Sequence, residues 1–287
     1  MTELATIHRW PILERPLLVV SLEGWIDAGL AAGSAMGALL GSMPHELLAD
    51  FDGDELIDHR ARRPILRVSN GVSTDLRWPT IELRLATNRT GRSVLLLTGP
   101  EPDMRWHQFT AEVVQLATRL GVELVIGLGA FPAPVPHTRP VRLAATATDS
   151  DLAGRVGFIP ATLDVPAGAQ ASLEYAFGQA GIPAVGLWAR VPHYAAAMPY
   201  PAAAAALLDE LAKLTEIEVE TQALRAAATT THAQIDQLIA ASEDHVALVR
   251  QLEAQHDGEQ GMSATMFGDI PSGDEIAAEL ERFLRGE

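Results

Sequence analysis

The chain has 287 residues, of which 48% are hydrophobic and 20% charged, an ordinary composition for a soluble α/β domain with a smaller part attached. Its formal charge is −16, and this acidic surplus excludes general nucleic-acid binding, which needs a basic surface. The absence of cysteine excludes disulfides, thiolate metal sites and a cysteine nucleophile. An acidic start without a basic leader predicts a cytoplasmic protein.

The first predicted elements are a strand and a helix. The apolar run Leu17–Leu22 is continuous rather than alternating, as in a buried parallel strand, and a helix follows from Asp27 or Ala28. The stretch Ala28–Met43 is uncharged but shorter than the roughly 20 residues of a membrane span, so no membrane partner is predicted. Its glycines recur every fourth residue, which predicts a smooth stripe packed close to the sheet: Gly29, Gly33, Gly37 and Gly41.

A hairpin and an alternating strand come next. Asn70-Gly71 predicts a tight turn inside Pro64–Trp78, and the alternation in Ile81–Leu85 predicts a half-buried strand near an edge, so the sheet is mixed. Strand and helix signals then alternate, which is typical of an α/β fold. The predicted elements are Val94–Thr98, a helix from Trp106 to Leu120 ended by Gly121, Val122–Leu128, a helix Ser172–Ala180, Ala184–Trp188 and a helix Pro201–Leu214. The expected fold is a three-layer sandwich around a mixed, mostly parallel sheet.

Strand signals vanish after Glu216. We therefore predict a core domain over 1–215 and an acidic, all-helical subdomain over 216–287, which carries 15 acidic and 4 basic residues from Thr215 onward. Two helices are expected here, broken near Ala240–Ser242. A flexible linker is predicted near 254–270, and a capping box at Ser272 predicts a last helix.

Four of the apolar runs end in clusters of charged and aromatic residues. Because ligands of open α/β sheets bind beyond the carboxyl ends of the strands, these clusters predict one shared edge, which we call the rim. Its candidate binding residues are Glu23, Trp25 and Asp27, then Glu101, Arg105 and Trp106, then His137 and Arg139, and finally His193 and Tyr194.

Each candidate has a structural alternative. Asp27 is better explained as a helix cap than as an acid–base group, whereas Glu23 has no such role and is the stronger functional candidate. Arg105 can clamp an anion or pair internally with Glu101, and Trp106 shares the apolar face of its helix with the core.

The third and fourth clusters are rich in proline. Four prolines hold the loop that carries His137 and Arg139, which suits an anion or a partner surface. His193 has no base or acid beside it in the sequence, and Tyr194 could wall a pocket.

The usual catalytic motifs are missing. The sequence has no phosphate-binding loop, no Gly-x-Gly-x-x-Gly after a strand, no Gly-x-Ser-x-Gly elbow and no His-Glu-x-x-His. We therefore predict no metal and no cofactor, and a binding surface rather than a known kind of active site.

The four clusters together resemble the proteasome assembly chaperone 2 family, in its bacterial branch, over roughly Pro16–Leu214. The motifs are Glu23-Gly24-Trp25-x-Asp27-Ala28-Gly29, Gly99-x-Glu101-Pro102-x-Met104-Arg105-Trp106, Pro136-His137-Thr138-Arg139-Pro140 and Trp188-x-x-Val191-Pro192-His193-Tyr194. The resemblance implies a phosphorylase/hydrolase-like core and a cytosolic homo-oligomer, with a trimer as the first guess. Eukaryotic members help to build the proteasome α-ring, and archaeal relatives bind the proteasome.

Two functions follow as hypotheses. The first is a non-catalytic, chaperone-like interaction protein with proteasome subunits as possible partners. The second is a small-molecule site on the rim, or an ATP-grasp-like carboxylate–amine ligase, a label loosely attached to the bacterial branch. Relatives that dock onto the proteasome often end in a hydrophobic–tyrosine–any residue tail, whereas this sequence ends Phe283-Leu284-Arg285-Gly286-Glu287, so docking by such a tail is not expected.

Overall fold

A computed structural model describes residues 3–24 and 26–261 of the chain. The strands are Ala5–Ile7 (β1), Leu17–Glu23 (β2), His45–Phe51 (β3), Ile65–Ser69 (β4), Val72–Arg77 (β5), Ile81–Thr87 (β6), Ser93–Pro100 (β7), Leu124–Ala133 (β8), Leu143–Ala147 (β9) and Ala184–Pro192 (β10). The helices are Ala31–Ser42 (α1), Gly53–Leu56 (α2), Trp106–Leu120 (α3), Ser150–Val156 (α4), Ala169–Gln179 (α5), Pro201–Thr215 (α6), Gln222–Ala240 (α7) and Glu243–Gly261 (α8).

Within the described residues, eight strands form one mixed sheet in the order β1-β3-β6-β7-β2-β8-β10-β9. Strands β7, β2, β8 and β10 are parallel neighbours at its centre, and the outer strands β1, β3, β6 and β9 pair antiparallel. Five strands, including β3, therefore run in one direction. The predicted mixed, mostly parallel sheet is confirmed.

The sheet is covered on both faces, because successive residues of the central strands point to opposite sides. Leu17 and Val19 of β2 pack with α1 and α6 in one core cluster, which also takes in Ile235 of α7 and Val249 of α8. Leu18 and Val20 belong to the second cluster, with α3 and α5. The predicted three-layer arrangement follows from continuous apolar strands that need cover on each side.

The glycine stripe of α1 does not face the sheet, contrary to the sequence prediction. The buried side of α1 is made of Ala31, Ala35 and Leu39, whereas Gly37 and Gly41 are exposed, with no heavy atom within 4 Å of a Cβ built on either. Alanine and leucine bury more apolar area than glycine, so they occupy the core side. Across the described residues, we find no helix long and apolar enough to cross a membrane.

The break between α7 and α8 lies at Ala241–Ser242, as predicted, but the predicted linker near 254–270 is wrong over its first part. Helix α8 continues to Gly261, because Val249, Leu252 and His256 form a buried stripe at helical spacing. This tertiary contact holds a polar segment in a helix. The rest of the linker and the helix predicted at Ser272 lie outside the described residues.

The hairpin is confirmed, but it stands apart from the main sheet. Strands β4 and β5 form a separate two-stranded sheet, and every residue in both is exposed. Asn70 and Gly71 both have positive φ, 51° and 84°, as the tight turn requires.

Candidate functional site

The rim lies where β7, β2, β8 and β10 end side by side, so the parallel order brings the four clusters to one edge. Their side chains fall into two groups. We call the ends of β2 and β7 the open half of the rim. The ends of β8 and β10, with the residues that follow them, form the closed half, because α7 and α8 contact them.

The open half is held together by backbone and cap contacts. The Glu101 amide donates to the Glu23 carbonyl at 2.7 Å, and the Glu101 carboxylate accepts from the Ala169 amide at 3.0 Å, at the first residue of α5. A carboxylate here accepts from a free amide at the helix N-terminus, and its negative charge interacts favourably with the positive end of the helix dipole. Gly24 makes this possible, because a Cβ there would lie 2.2 Å from the Glu101 side chain. The Glu23 side chain itself is exposed.

Arg105 does not pair with Glu101, so that structural alternative is wrong. Arg105 has φ 57° at the residue before α3, and its guanidinium lies 2.6 Å from the carboxylate of Glu55 in α2. Both side chains are 41% exposed, so solvent weakens the pair. Arg105 therefore pairs with Glu55, and the carboxylate of Glu101 accepts from the first amide of α5 instead.

Asp27 has the helix-capping contacts expected of it, whereas Trp106 does not lie in the core as predicted. The two carboxylate oxygens of Asp27 accept from the Ala32 and Gly33 amides at 2.8 and 3.0 Å, which caps the first turn of α1. The indole of Trp106 donates to the carbonyl of Pro102 and is half-buried rather than part of the core cluster. Trp25 lies outside the described residues.

The closed half is centred on His137, whose side chain is 2% exposed. The Tyr194 hydroxyl lies 2.8 Å from both the His137 amide and its Nδ1, and Asp236 of α7 lies 3.0 Å from Nε2. The hydroxyl oxygen accepts from the amide, and both ring nitrogens of His137 have a hydrogen-bonding partner, one in the loop's neighbour Tyr194 and one in α7.

Two further residues extend this buried polar cluster. His232 of α7 bonds the hydroxyl of Tyr200 at 3.1 Å, and its ring is edge-on to His137. Burial, and then the neighbouring His137, lower the pKa of His232. Burial raises the pKa of Tyr194 to about 12 and raises that of Tyr200 further. His193 is half-buried, with its ring centre 5.3 Å from that of Tyr194.

Arg139 binds carboxylates of its own chain. Its Nε and Nη2 donate to the two oxygens of Asp257 at 2.9 and 2.7 Å, and its Nη1 donates to Glu253 at 3.1 Å. The bidentate pair raises the pKa of Arg139 and lowers that of Asp257. The sequence left an anion or a partner surface open for this loop, and in the structure the carboxylates that bind Arg139 come from α8 of the same chain.

Little space is left in the closed half. A cavity of ≈ 10 Å³ lies between the loop after β8, the end of β10 and α8, which is about the room for one water molecule. A drug-sized ligand needs a pocket of roughly 300 Å³ or more. Among the described residues, no group of three or more His, Asp or Glu side chains could hold a metal ion.

The sequence analysis missed the residues that close the rim: His232, Asp236, Glu253, Asp257 and Tyr200. One local signal was present, because Glu253 and Asp257 are four residues apart and share a helix face. Nothing in the sequence alone showed that this face lies against Arg139.

These features define a class: a three-layer α/β protein whose strand-end rim is half covered by its own C-terminal helices. The chain belongs to the PAC2 family, whose model matches residues 21–239. The match supports the resemblance drawn from the rim motifs, and it gives no support to the ATP-grasp or carboxylate–amine ligase label.

Solved structures agree with this assignment. A protein of unknown function from Corynebacterium glutamicum is 32% identical, with 92% of this chain and 100% of that chain covered and a TM-score of 0.85. The proteasome-assembly chaperone homologue Rv2125 of Mycobacterium tuberculosis is 34% identical, with 81% and 99% covered and a TM-score of 0.75. The archaeal proteasome activator PbaB of Pyrococcus furiosus is 17% identical over 83% and 99%, with a TM-score of 0.65, and shares the fold. No curated protein matches the chain.

Proposed function

We propose that this protein is a non-catalytic, chaperone-like interaction protein that binds proteasome subunits in the cytoplasm. The observation that carries the proposal is that acidic residues of the chain itself already bind the side chains of the rim's closed half. At the edge where an α/β enzyme binds its ligand, the chain's own Asp236, Glu253 and Asp257 already hold His137 and Arg139. Membership of the PAC2 family, and the 34% identity to a proteasome-assembly chaperone homologue, support the same function.

The open half of the rim is the surface we assign to the partner. Glu23 is exposed, and the Arg105–Glu55 pair is open to solvent, so its charges can be exchanged for those of a partner at little cost. Glu101 and Asp27 hold the helix ends that shape this surface. The closed half, with His137, Arg139, His193 and Tyr194, lies beside this surface along the same sheet edge.

Purified proteasome α subunits test the proposal directly. We expect the protein to bind a subunit and to change the yield of assembled rings on native gels. Arg105→Glu should weaken binding at least 10-fold. Arg155→Glu, an equal charge change at an exposed position of α4, should leave it unchanged. If the wild-type protein binds no subunit and alters no assembly step, the proposed function is wrong. If Arg105→Glu and Arg155→Glu bind the subunit with equal affinity, the open half is not the surface that binds it.

A further inference from the structure

Three arginines line the small cavity in the closed half of the rim, in a chain whose formal charge is −16. They are Arg139 in the loop after β8, Arg142 just before β9 and Arg190 near the end of β10. The carboxyl ends of the parallel strands β8 and β10 lie here, where ligands of open α/β sheets bind. Because like charges repel, guanidinium groups gathered around one cavity favour an anion between them. The wall of the cavity is therefore suited to an acidic ligand.

Two carboxylates of α8 occupy the guanidinium of Arg139 in the structure. Asp257 accepts from Nε and Nη2 at 2.9 and 2.7 Å, and Glu253 accepts from Nη1 at 3.1 Å and from the Thr138 hydroxyl. Arg139 lowers the pKa of Asp257, and the charge of Arg142 adds to this effect. The two acids are four residues apart on one helix face, where Cβ atoms lie about 5–6 Å from each other. The arrangement thus binds two carboxylate groups with a short spacer between them.

The carboxylates that fill this site can leave it without unpacking α8. The helix is held on the core by Val249 and Leu252, which are 6% and 4% exposed. The side chain of Asp257, by contrast, is 51% exposed. Exposed ion pairs stabilise a fold far less than burial of a valine or leucine side chain does. A change of side-chain rotamer therefore moves the Asp257 carboxylate into water while the helix stays in place.

We propose that Arg139, with Arg142 beside it, binds a small dicarboxylate, and that the acids of α8 compete with this ligand from within the chain. One carboxylate of the ligand replaces Asp257 on Nε and Nη2, and the other replaces Glu253 on Nη1. The ligand enters the volume that these two side chains leave, so the ≈ 10 Å³ of the present cavity does not exclude it. A carboxylate held in the same chain has a high effective concentration, which keeps the affinity of the wild type low. The proposal does not depend on proteasome binding.

Calorimetric titration of the full chain with glutarate, a five-carbon dicarboxylate, tests the proposal at one fixed ionic strength. The double variant Glu253→Ala, Asp257→Ala removes the internal competitors, and we call it the unmasked variant. It should bind glutarate at least 10-fold more tightly than the wild type. The control Glu243→Ala, Asp244→Ala makes the same change of charge at two exposed residues in the first turn of α8 and should bind as the wild type does. Adding Arg139→Gln to the unmasked variant should weaken binding at least 10-fold.

A second ligand and a second variant complete the test. Pentanoate has the same chain length as glutarate but one carboxylate, so it should bind the unmasked variant at least 10-fold more weakly. Melting temperatures check that each variant is folded. Glu253→Gln, Asp257→Asn removes the charges with little change of shape and should also bind glutarate more tightly than the control.

Three results would each overturn the proposal. They are equal affinity of the unmasked variant and the control for glutarate, equal affinity of the unmasked variant for glutarate and pentanoate, and no loss of binding with Arg139→Gln. The titrations contain no proteasome subunit, so failure of the proposed function leaves their result unaffected.

Discussion

Tyr194→Phe is the substitution that most directly tests the closed half of the rim. The change keeps the ring and removes only the hydroxyl. That hydroxyl accepts from the His137 amide at 2.8 Å and bonds Nδ1 of the same residue at 2.8 Å. Both groups are buried, so no water replaces the lost partner, and the amide is left without an acceptor.

The expected cost follows from these two contacts. An unsatisfied buried donor costs roughly 1–3 kcal/mol, and the second hydrogen bond adds roughly 1 kcal/mol. The free energy of unfolding should therefore fall by roughly 2–4 kcal/mol. In a protein of 287 residues, that loss lowers the melting temperature by roughly 3–7 °C. Because His137 also holds Asp236, α7 should become more sensitive to limited proteolysis than the sheet.

Thermal and urea unfolding measure this loss against a matched control. Tyr175→Phe makes the same chemical change on α5, where the side chain is 71% exposed, and should change the free energy of unfolding by less than about 0.5 kcal/mol. If the two variants unfold alike, the Tyr194 hydroxyl does not hold the closed half together, and the reasoning fails.

Three further predictions concern pH, a helix cap and glycine. The pKa of His232 in the folded protein is lowered below 6.5, so between its folded and unfolded pKa values the unfolded chain binds more protons than the folded one. The melting temperature should therefore fall as pH drops below 6.5, and His232→Gln should reduce the slope of melting temperature against pH in this range. Equal slopes for the variant and the wild type would contradict the lowered pKa. Asp27→Ala should destabilise α1 by about 1 kcal/mol in urea unfolding and Asp27→Asn by less, and equal losses would argue against the cap. Gly37→Ala should stabilise by up to about 1 kcal/mol, because the site is helical and open. Gly99→Ala should destabilise strongly, because φ is +124° and a Cβ would lie 2.2 Å from a carbonyl oxygen; the reverse order of melting temperatures would refute both.

Much of the fold could be predicted because its signals are local. The strand Leu17–Glu23, the helix Trp106–Leu120 with Gly121 behind it at φ 71°, and the Asn70-Gly71 hairpin all follow from patterns within a few residues. The Asp27 cap is local too, since its acceptors and donors are five and six residues apart. Strands β1, β3 and β9 were not predicted, because pairing at the sheet edges stabilises them more than their own sequences do.

The sequence predicted where the candidate site lies but not which residues its side chains contact. Parallel order alone brings the four strand ends to one rim, and this needed no side-chain information. The partners of the rim residues come from far along the chain. Glu101 is held by residue 169, and His137 by residues 194 and 236, at separations that no local pattern encodes.

The sequence by itself determined the class of fold, the rim and the residue types placed on it, because apolar periodicity, turn residues and caps act over short distances. Only the tertiary structure decided which of those residues stay exposed and can contact a partner. Packing α7 and α8 on the closed half brings acids from the C-terminal helices against His137 and Arg139, while the open half and the hairpin β4–β5 stay exposed. The physical reason is that charge pairing between distant segments depends on where the helices pack, which no short stretch of sequence specifies.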